Sequence, residues 1–470
     1  MIFNPDNIVI KDGCFIFSGK TSAMANACLN KEILKEFWKG HTFRTGELEI
    51  TEIDEFVFRV GECEILPLDG NLYSINITEK GIALNAQNKT GLINGFMALI
   101  DRVKLAGFDG KTLKIDCCEI KEKPLIMNRM IHFCVFPETE LWELDRYIRL
   151  CGALRYTHIV LEFWGMLKLD TLKEIAWNFG FTKEQVKPLI QMAKDLGMEV
   201  VPMLNHWGHA PGSRVMHGKH VVLDQNPALQ NYFDDTGWCW SIENEETREL
   251  LKNLRAELME VCGEGNYFHI GCDEAYSFDW SQKSQEIFCE YVNDVSAELK
   301  KQGRRAIMWG DMLICSDEKY NKNNRYVTLS KDKNSQEFML KNVSKDIIIA
   351  DWQYWAKETP VETAFTFKEA GFEVMLAPWD CSVAENHSCV ETAKMEGIMG
   401  IMHTTWHTLT RGTPFITRVG FAGFEKDISQ NGDSAYIATY TAEKMRKVYF
   451  VNGDYEKAGW AKRQIGIYFG

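Results

Sequence analysis

The sequence lacks the features that mark nucleic-acid-binding or membrane proteins. Lys and Arg total 53 against 66 Asp and Glu, a formal net charge of −13, whereas nucleic acids and anionic membranes select basic patches. No apolar run approaches the roughly 20 residues of a transmembrane helix. The opening MIFNPDNIVIKDG has neither the basic segment nor the apolar core of a signal peptide. We therefore expect a cytoplasmic protein with no nucleic-acid or membrane partner.

The 14 cysteines lack the spacing of a metal or redox site. None are arranged as C-x-x-C, and several, such as Cys134 and Cys272, lie inside apolar, strand-like runs. We interpret most of them as reduced, buried thiols. This interpretation predicts no cofactor and no bound metal.

Residues 1–120 are predicted to form a small α+β N-terminal domain. Short β-like runs, NIVIKDGCFIFSG and LYSINITEKGIALNAQ, accompany one helical pattern, TGLINGFMALIDRVKLAG. The segment CCEIKEKP then has the composition of a linker. We place the domain boundary there and assign residues 121–470 to a second domain that ends in helices.

The second domain is predicted to be an α/β fold, a (β/α)8 TIM barrel. Near-continuous apolar strands joined by helices, such as TKEQVKPLIQMAKDLG, favour a parallel sheet. Eight such strands close a barrel. The eight apolar runs are NRMIHFCV, YTHIVLEF, MEVVPMLN, YFHIGCDE, RAIMWGDM, DIIIADWQY, FEVMLAPWD and GIMGIMHTTWH.

The ends of these runs carry mostly acids and tryptophans, and catalytic residues of such barrels lie where the strands end. Indole rings stack on the C–H faces of sugars, and paired carboxylates are the usual groups for cleaving glycosides. The pattern therefore indicates a sugar site, with Asp273 and Glu274 as its candidate acids. The polar and aromatic residues concerned are Arg129 near the start of the first run, then Glu162, Trp164, Asn205, His206, His209, Asp273, Glu274, Trp309, Asp311, Asp351, Trp352, Tyr354, Trp379, Asp380, Trp406 and His407.

The run HIGCDE resembles the H-x-G-G-D-E signature of glycoside hydrolase family 20, the β-N-acetylhexosaminidases, with Cys272 in place of the second glycine. The upstream FTKEQVKPLIQMAKDLGMEVVPMLNHWGHA is similar to a helix and strand of that family that end in a Gly-His pair, here Gly208 and His209. The stretch YSINITEKGIALNAQNKTGLINGFMALIDRVK is similar to the small domain that precedes the family's barrel. The resemblance spans roughly residues 5 to 410 and indicates an atypical member.

The resemblance implies an exo-acting enzyme that removes terminal β-linked N-acetylglucosamine or N-acetylgalactosamine from a small oligosaccharide or glycoconjugate. In the family the substrate's own 2-acetamido group attacks the anomeric carbon. Asp273 would orient that group, and Glu274 would protonate the leaving oxygen and later deprotonate water. Because neighbouring charges raise the pKa of one carboxyl, we expect Glu274 to stay protonated while Asp273 stays ionised. A homodimer is left open.

The resemblance also assigns substrate-binding residues. Arg129 matches an arginine that holds the sugar 3- and 4-hydroxyls in the family. His209 and Glu162 fall where the family has a histidine and a carboxylate that support the acid. The remaining predicted contacts come from the later strands and are Trp309, Trp352, Tyr354, Trp379, Asp380 and Trp406.

Several positions depart from the family pattern. Met203 and Asn205 replace two acids of a P-E-I-D segment. Pro378 stands where a tyrosine binds the acetamido carbonyl, which leaves Tyr354 as the substitute. Thr408 replaces a glutamate that contacts the 4- and 6-hydroxyls. The preference between gluco and galacto sugars therefore stays open.

Three alternative hypotheses remain. A histidine-rich loop with His206, His209, His217 and His220 could hold a metal, although no carboxylate has metal-site spacing; a chelator-insensitive activity would exclude it. The protein could instead be a catalytically silent sugar-binding protein, which the presence of both acids disfavours. The third hypothesis keeps hydrolysis and uses a covalent carboxylate nucleophile of the enzyme.

Overall fold

The computed structural model describes residues 7–425 apart from 18, 42–45, 105–106, 109–111, 213–221, 318–325 and 407–408, together with Ile437, Thr441 and Lys444. Within these ranges the chain forms an N-terminal sheet with two helices, followed by a closed barrel. None of the described helices has both the length and the hydropathy needed to cross a bilayer.

The N-terminal sheet is mostly antiparallel. Its strands are β1 Ile8–Phe17, β2 Thr21–Asn26, β3 Leu48–Ile53, β4 Val57–Gly61, β5 Tyr73–Thr78, β6 Gly81–Ala86, β7 Gly107–Phe108 and β8 Leu113–Glu122, and the helices are α1 Lys31–His41 and α2 Lys89–Lys104. The strand order is β1-β8-β5-β6-β4-β2-β3, with β7 paired to β8, and β2 and β3 run parallel. Helix α2 packs on β5 and β6, and its Leu92, Phe96 and Leu99 are buried.

The barrel closes because its last strand pairs in parallel with its first. The strands are β9 Asn128–Val135, β10 His158–Phe163, β11 Glu199–Met203, β12 Tyr267–His269, β13 Arg305–Trp309, β14 Ile348–Asp351, β15 Val374–Leu376 and β16 Gly400–Thr405. The surrounding helices are α3 Leu141–Ala153, α4 Lys183–Asp195, α5 Val222–Gln225, α6 Glu245–Cys262, α7 Gln282–Lys301, α8 Lys333–Asn342, α9 Glu362–Glu369, α10 Val383–Ala393 and α11 Leu409–Ala422.

The predicted fold class, a (β/α)8 barrel preceded by a small α+β domain, is confirmed. Each of the eight apolar runs contains one barrel strand. Of the predicted C-terminal helices, α11 is described, and most of the chain after residue 425 lies outside the described residues.

Apolar side chains from the strands fill the barrel interior. They form one buried cluster that includes Met130, Val160, Val201, Ile307, Ile348, Met375 and Met402. Local signals fix the helices around it: Thr182 and Gln185 form a reciprocal capping box at the start of α4. Because the interior is packed, polar residues at the carboxyl ends of the strands are held above it, where a site can form.

A buried ion pair joins the sheet to the barrel. Arg155, between α3 and β10, donates from Nη1 to Glu122 Oε2 at 2.9 Å and to the Tyr73 hydroxyl at 3.1 Å. Its guanidinium also lies 3.8 Å from the centre of the Phe424 ring. Burial raises the pKa of Glu122, and the charge of Arg155 opposes that increase. The sheet strand β8 ends at this glutamate, near the predicted domain boundary at residue 120.

We expect Arg155→Met to destabilise the protein by about 3 to 5 kcal/mol, because it leaves the Glu122 carboxyl buried without its cation. Glu122→Gln in the same chain should recover part of the loss. Urea unfolding followed by tryptophan fluorescence measures both effects. Arg305→Met, which removes a partly exposed pair with Glu373, is the control and should change stability by less than about 1 kcal/mol. Equal losses of stability in Arg155→Met and Arg305→Met would contradict this account of the interface.

Candidate active site

The chain leaves β12 through a tight turn that presents two acids. Gly271, Cys272 and Glu274 all have positive φ, at 65°, 72° and 49°. A side chain at Gly271 would lie 1.9 Å from Asn205 Oδ1, so glycine is required there. Cys272 adopts a backbone that a glycine adopts without strain, which fits its replacement of the second glycine in the motif. The turn places Asp273 and Glu274 side by side at the carboxyl end of the barrel.

His209 lies between the two acids. Its Nε2 is 2.9 Å from Glu274 Oε2 and 3.3 Å from Asp273 Oδ2. The ring packs against Trp238 at a centroid distance of 4.4 Å and lies edge-on to Trp164. Gly208 allows this approach, because a side chain there would lie 1.9 Å from the carbonyl oxygen of Asp273. The predicted association of His209 with the acid pair is thus present in the geometry.

Glu274 is held by its backbone as well as its side chain. The Tyr276 hydroxyl donates to Glu274 Oε1 at 2.5 Å, and the Trp238 indole N–H donates to its carbonyl oxygen at 2.6 Å. The backbone N–H of Glu274 donates to Asp311 Oδ2 at 2.9 Å. These bonds fix a residue whose positive φ would otherwise be unfavourable.

Asp311 is a site residue that the sequence reasoning did not assign. It follows β13, it is buried, and its Oδ1 accepts the indole N–H of Trp352 at 3.1 Å. The pKa of Asp311 is raised to about 7, chiefly by burial; the bond from the Glu274 N–H opposes the rise, and the charge of Glu274 contributes to it. Its position at the end of the run RAIMWGDM was the available signal.

Asp273 does not match the expected division of protonation states. Burial raises its pKa well above the ordinary value, and Asp311, Glu274 and Glu162 add to the rise. The expectation that Asp273 stays ionised because its neighbour takes the proton is therefore incomplete: the low-dielectric site favours the neutral form of Asp273 too. Its Oδ1 is buried and has no hydrogen-bond partner among the described residues. That oxygen is an acceptor available to a bound group.

Glu162 lies at the end of β10 beside β9. Its Oε2 is 2.9 Å from His132 Nε2 and accepts from Cys134 Sγ at 3.5 Å, and its Oε1 accepts from Asn205 Nδ2 at 2.6 Å. The departure at position 205 fits this contact, because an acid there would face the carboxylate of Glu162. The charge of Glu162 also raises the pKa of Asp273.

The predicted aromatic residues converge beside the acids. Trp309 is almost fully buried between the His269 ring at 4.3 Å and the Trp406 ring at 5.6 Å. Trp406 donates its indole N–H to the Tyr354 hydroxyl. Tyr354 in turn packs on the two remaining predicted rings, at 4.9 Å from Trp352 and 5.4 Å from Trp379. The five rings form one continuous aromatic cluster.

Asp380 follows Trp379 at the end of β15. It is buried, and its Oδ2 accepts from Arg411 Nε of α11 at 3.0 Å. Thr408 and His407 lie outside the described residues.

The structure separates Arg129 from the other predicted residues. Arg129 is at the start of β9, at the opposite end of the barrel from Asp273, and it is fully buried. Its Nε and Nη2 donate to the carbonyl oxygen of Arg155, and its Nη1 donates to those of Ile126 and Met127. The predicted contact with sugar hydroxyls is wrong, because the strand begins, and does not end, at this residue.

The proposed histidine metal site also loses a ligand. His206 is fully buried, with Nδ1 2.7 Å from the Leu204 carbonyl oxygen and Nε2 3.0 Å from Arg255 Nη1. His217 and His220 lie outside the described residues. Two other sets have donor atoms close enough to hold a cation, namely His132, Cys134 and Glu162, and His209, Asp273 and Glu274. The expectation of no metal stays a prediction.

Two adjacent carboxyls surrounded by tryptophans at the carboxyl end of a (β/α)8 barrel are typical of glycoside hydrolases. The family model described as glycosyl hydrolase family 20, catalytic domain, matches residues 160–413. The chain belongs to this family, and the predicted membership is confirmed.

Two curated relatives match parts of the chain. It is 23% identical over 282 residues to lacto-N-biosidase of Bifidobacterium bifidum; this alignment covers 55% of this chain and 23% of that protein. It is 22% identical over 184 residues to hexosaminidase D of Bos taurus, which covers 36% of this chain and 51% of that protein. The aligned regions thus span about half or less of each relative's length.

Solved structures share the fold at low sequence identity. One is a GH20 exo-β-N-acetylglucosaminidase from Vibrio harveyi, 16% identical with a TM-score of 0.67, covering 100% of this chain and 78% of that one. Another is a β-N-acetylhexosaminidase from Bacteroides fragilis, 16% identical with a TM-score of 0.65, covering 98% of this chain and 95% of that one. At this identity the likeness supports the architecture.

We expect the buried carboxyl of Asp311 to make stability fall as the pH rises from 5 to 8, relative to a variant that cannot ionise at this position. The pKa of Asp311, raised to about 7 chiefly by burial, lies above its unfolded value, so its stabilising contribution is full below about pH 4 and is lost as the pH rises through about 7. Buried histidines such as His269 and His403, whose pKa burial lowers to about 3, act in the opposite direction. Asp311→Asn should therefore lose less stability, or gain more, than the wild type over this range. Calorimetric melting temperatures at pH 5 and pH 8 measure the slope.

Asp12→Asn, which changes an exposed aspartate of β1, is the matched control and should keep the wild-type slope. Asp311→Asn should keep a residual pH dependence, because burial also raises the pKa of Asp351 to about 6. Identical slopes in Asp311→Asn and Asp12→Asn would contradict the assigned titration.

Proposed function

We propose that the protein is an exo-acting β-N-acetylhexosaminidase that works by substrate-assisted, retaining hydrolysis. The observation that carries the proposal is the pair Asp273 and Glu274, held at one strand end with His209 in contact with both carboxyls. Family membership and the activities of the Vibrio harveyi and Bacteroides fragilis enzymes support the choice of an N-acetylhexosamine.

Asp273 orients the 2-acetamido group. Its buried Oδ1 lacks a partner among the described residues and accepts the acetamido N–H, which aims the carbonyl oxygen at the anomeric carbon. As that oxygen forms its bond to carbon, positive charge develops on the nitrogen and favours the ionised form of Asp273. The raised pKa of Asp273 in the protein alone is therefore lowered by the reacting group, and the carboxylate stabilises the transition state more than the ground state.

Glu274 handles the proton in both halves of the reaction. In the first, the glycosidic bond breaks and the leaving oxygen takes the proton of Glu274. In the second, the carboxylate of Glu274 takes a proton from water, whose oxygen attacks the anomeric carbon and opens the cyclised acetamido group. Two displacements at one carbon retain its configuration. The bonds from His209 and Tyr276 keep the carboxyl in place through both steps.

The aromatic cluster encloses the sugar. Trp352 is tied to Asp311, and Asp311 to the backbone of Glu274, so the ring wall and the acid move as one unit. Burial raises the pKa of Tyr354, and the nearby charge of Asp273 adds to the rise, which is consistent with its role as the substitute donor to the acetamido carbonyl. Trp406 completes the wall, and the buried Trp309 supports it from behind. Asp380, paired with Arg411, is the remaining candidate for a hydroxyl contact.

A panel of chromogenic glycosides tests the proposed substrate class. We expect the protein to hydrolyse an aryl β-N-acetylglucosaminide or β-N-acetylgalactosaminide. We expect kcat/KM to be at least about a hundredfold lower on the corresponding glucoside, galactoside and unacetylated glucosaminide, because these substrates lack the 2-acetamido group that acts as the nucleophile. The ratio of the two N-acetylated substrates gives the gluco or galacto preference. Comparable rates with and without the acetamido group would contradict the proposal.

We expect Glu274→Gln to lose kcat/KM by about 10²- to 10⁴-fold on a disaccharide substrate and by much less on a nitrophenyl glycoside, because a good leaving group barely needs protonation. Steady-state kinetics on the two substrates measure the difference. Glu264→Gln changes an exposed glutamate in the loop before β12 and is the control. Equal losses on both substrates would count against a general-acid role for Glu274.

A further inference from the structure

An exposed aromatic ring stands beside the candidate acid. Tyr276 is 61% exposed, although it lies two residues after Glu274. Its ring stacks on Trp238 with a centroid distance of 5.7 Å and an interplanar angle of 22°. Trp238 is buried. The pair therefore forms a platform with a fixed base and an open upper ring.

Four hydrogen bonds hold this platform. The Tyr276 hydroxyl and the Trp238 indole both bond to Glu274, as described above. From below, the carboxylate of Asp234 accepts from the backbone N–H of Trp238 at 3.0 Å and from the Ser277 hydroxyl at 2.6 Å. The two loops are thereby tied together. An exposed ring without a function would not need hydrogen bonds that fix both its own loop and the loop of the ring beneath it.

The geometry also indicates which side of Glu274 is open. His209 contacts Oε2 and its side chain is only 11% exposed, whereas Tyr276 contacts Oε1 and is mostly exposed. A leaving group must come within hydrogen-bond distance of this carboxyl to receive its proton. It therefore approaches on the side of Tyr276 and lies over or against the ring.

We propose that Tyr276, supported by Trp238, is the binding platform for the leaving group, and that this group is a pyranose whose C–H face stacks on the tyrosine ring. Aromatic faces bind such apolar sugar faces, whereas a small alkyl leaving group would gain little from them. The inference rests on the proposed function and adds a preference for oligosaccharides.

The test compares two substrates with the same N-acetylhexosamine: a disaccharide whose leaving group is a second sugar, and the ethyl glycoside. Tyr276→Ala should raise KM for the disaccharide about tenfold and leave KM for the ethyl glycoside within twofold. Tyr276→Phe keeps the ring and should keep KM for the disaccharide within twofold to threefold. Loss of the hydroxyl bond to Glu274 should lower kcat equally on both substrates in both variants.

Phe56→Ala is the control. Phe56 is an exposed aromatic residue between β3 and β4 of the N-terminal sheet, so the variant should leave both KM values unchanged. Equal KM changes on the two substrates in Tyr276→Ala, or none on either, would overturn the platform. If the wild type hydrolyses the aryl N-acetylhexosaminide but Tyr276→Ala changes KM equally for the disaccharide and the ethyl glycoside, this inference alone is refuted. If the wild type is inactive, the proposed function is refuted as well.

Discussion

The architecture of the site depends on keeping two adjacent carboxyls together in a buried place. Burial makes each charge costly, and proximity makes both charges together costlier. The chain meets this constraint with a histidine that contacts both acids. A third buried carboxyl, Asp311, fixes the backbone of Glu274 by accepting its N–H, but its own charge adds to the electrostatic cost. The cost appears as the raised pKa of Asp273 and Asp311 and as the positive φ of Glu274.

This constraint also connects the acids to the sugar wall. Asp311 links the Glu274 backbone to the indole of Trp352, while Trp238, from the loop after β11, and Tyr276, two residues after Glu274, also bond to this glutamate. Residues that follow three strands, β11, β12 and β13, therefore contact Glu274 directly. The departures from the family pattern are accommodated locally: Asn205 donates to Glu162 where an acid would repel it, and Cys272 accepts the conformation of the glycine it replaces.

The sequence predicted the barrel well because its strands are buried on both faces and read as eight continuous apolar runs. The same reasoning located the acid pair, since two charges after a buried strand need a function. Arg129 was misplaced because the resemblance assigned it to the sugar hydroxyls, although it precedes the apolar residues of β9 and therefore lies at the end of the barrel opposite the site.

Two other residues received no individual role from the sequence, for different physical reasons. Asp311 was recognised as a strand-end residue, but its bond is to a backbone N–H, which leaves no trace in side-chain chemistry. Tyr276 is distinguished only by being exposed and stacked on Trp238, a residue 38 positions earlier in the chain. The protonation of Asp273 depends on burial and on the charges of Asp311 and Glu162, which follow two other strands, so adjacency to Glu274 alone gave an incomplete answer.

The central claim is that the substrate's acetamido group, oriented by Asp273, is the nucleophile. The most direct measurement is the inhibition constant of a thiazoline analogue of the cyclised intermediate for the wild type and for Asp273→Asn, with intact-protein mass spectra after incubation with a 2-fluoro glycoside. The account predicts that the thiazoline binds tightly and that Asp273→Asn weakens its binding by about two orders of magnitude. It also predicts that the mass of the protein is unchanged after incubation with the 2-fluoro glycoside. Weak thiazoline binding together with a covalent fluoroglycosyl adduct on a carboxylate would contradict it.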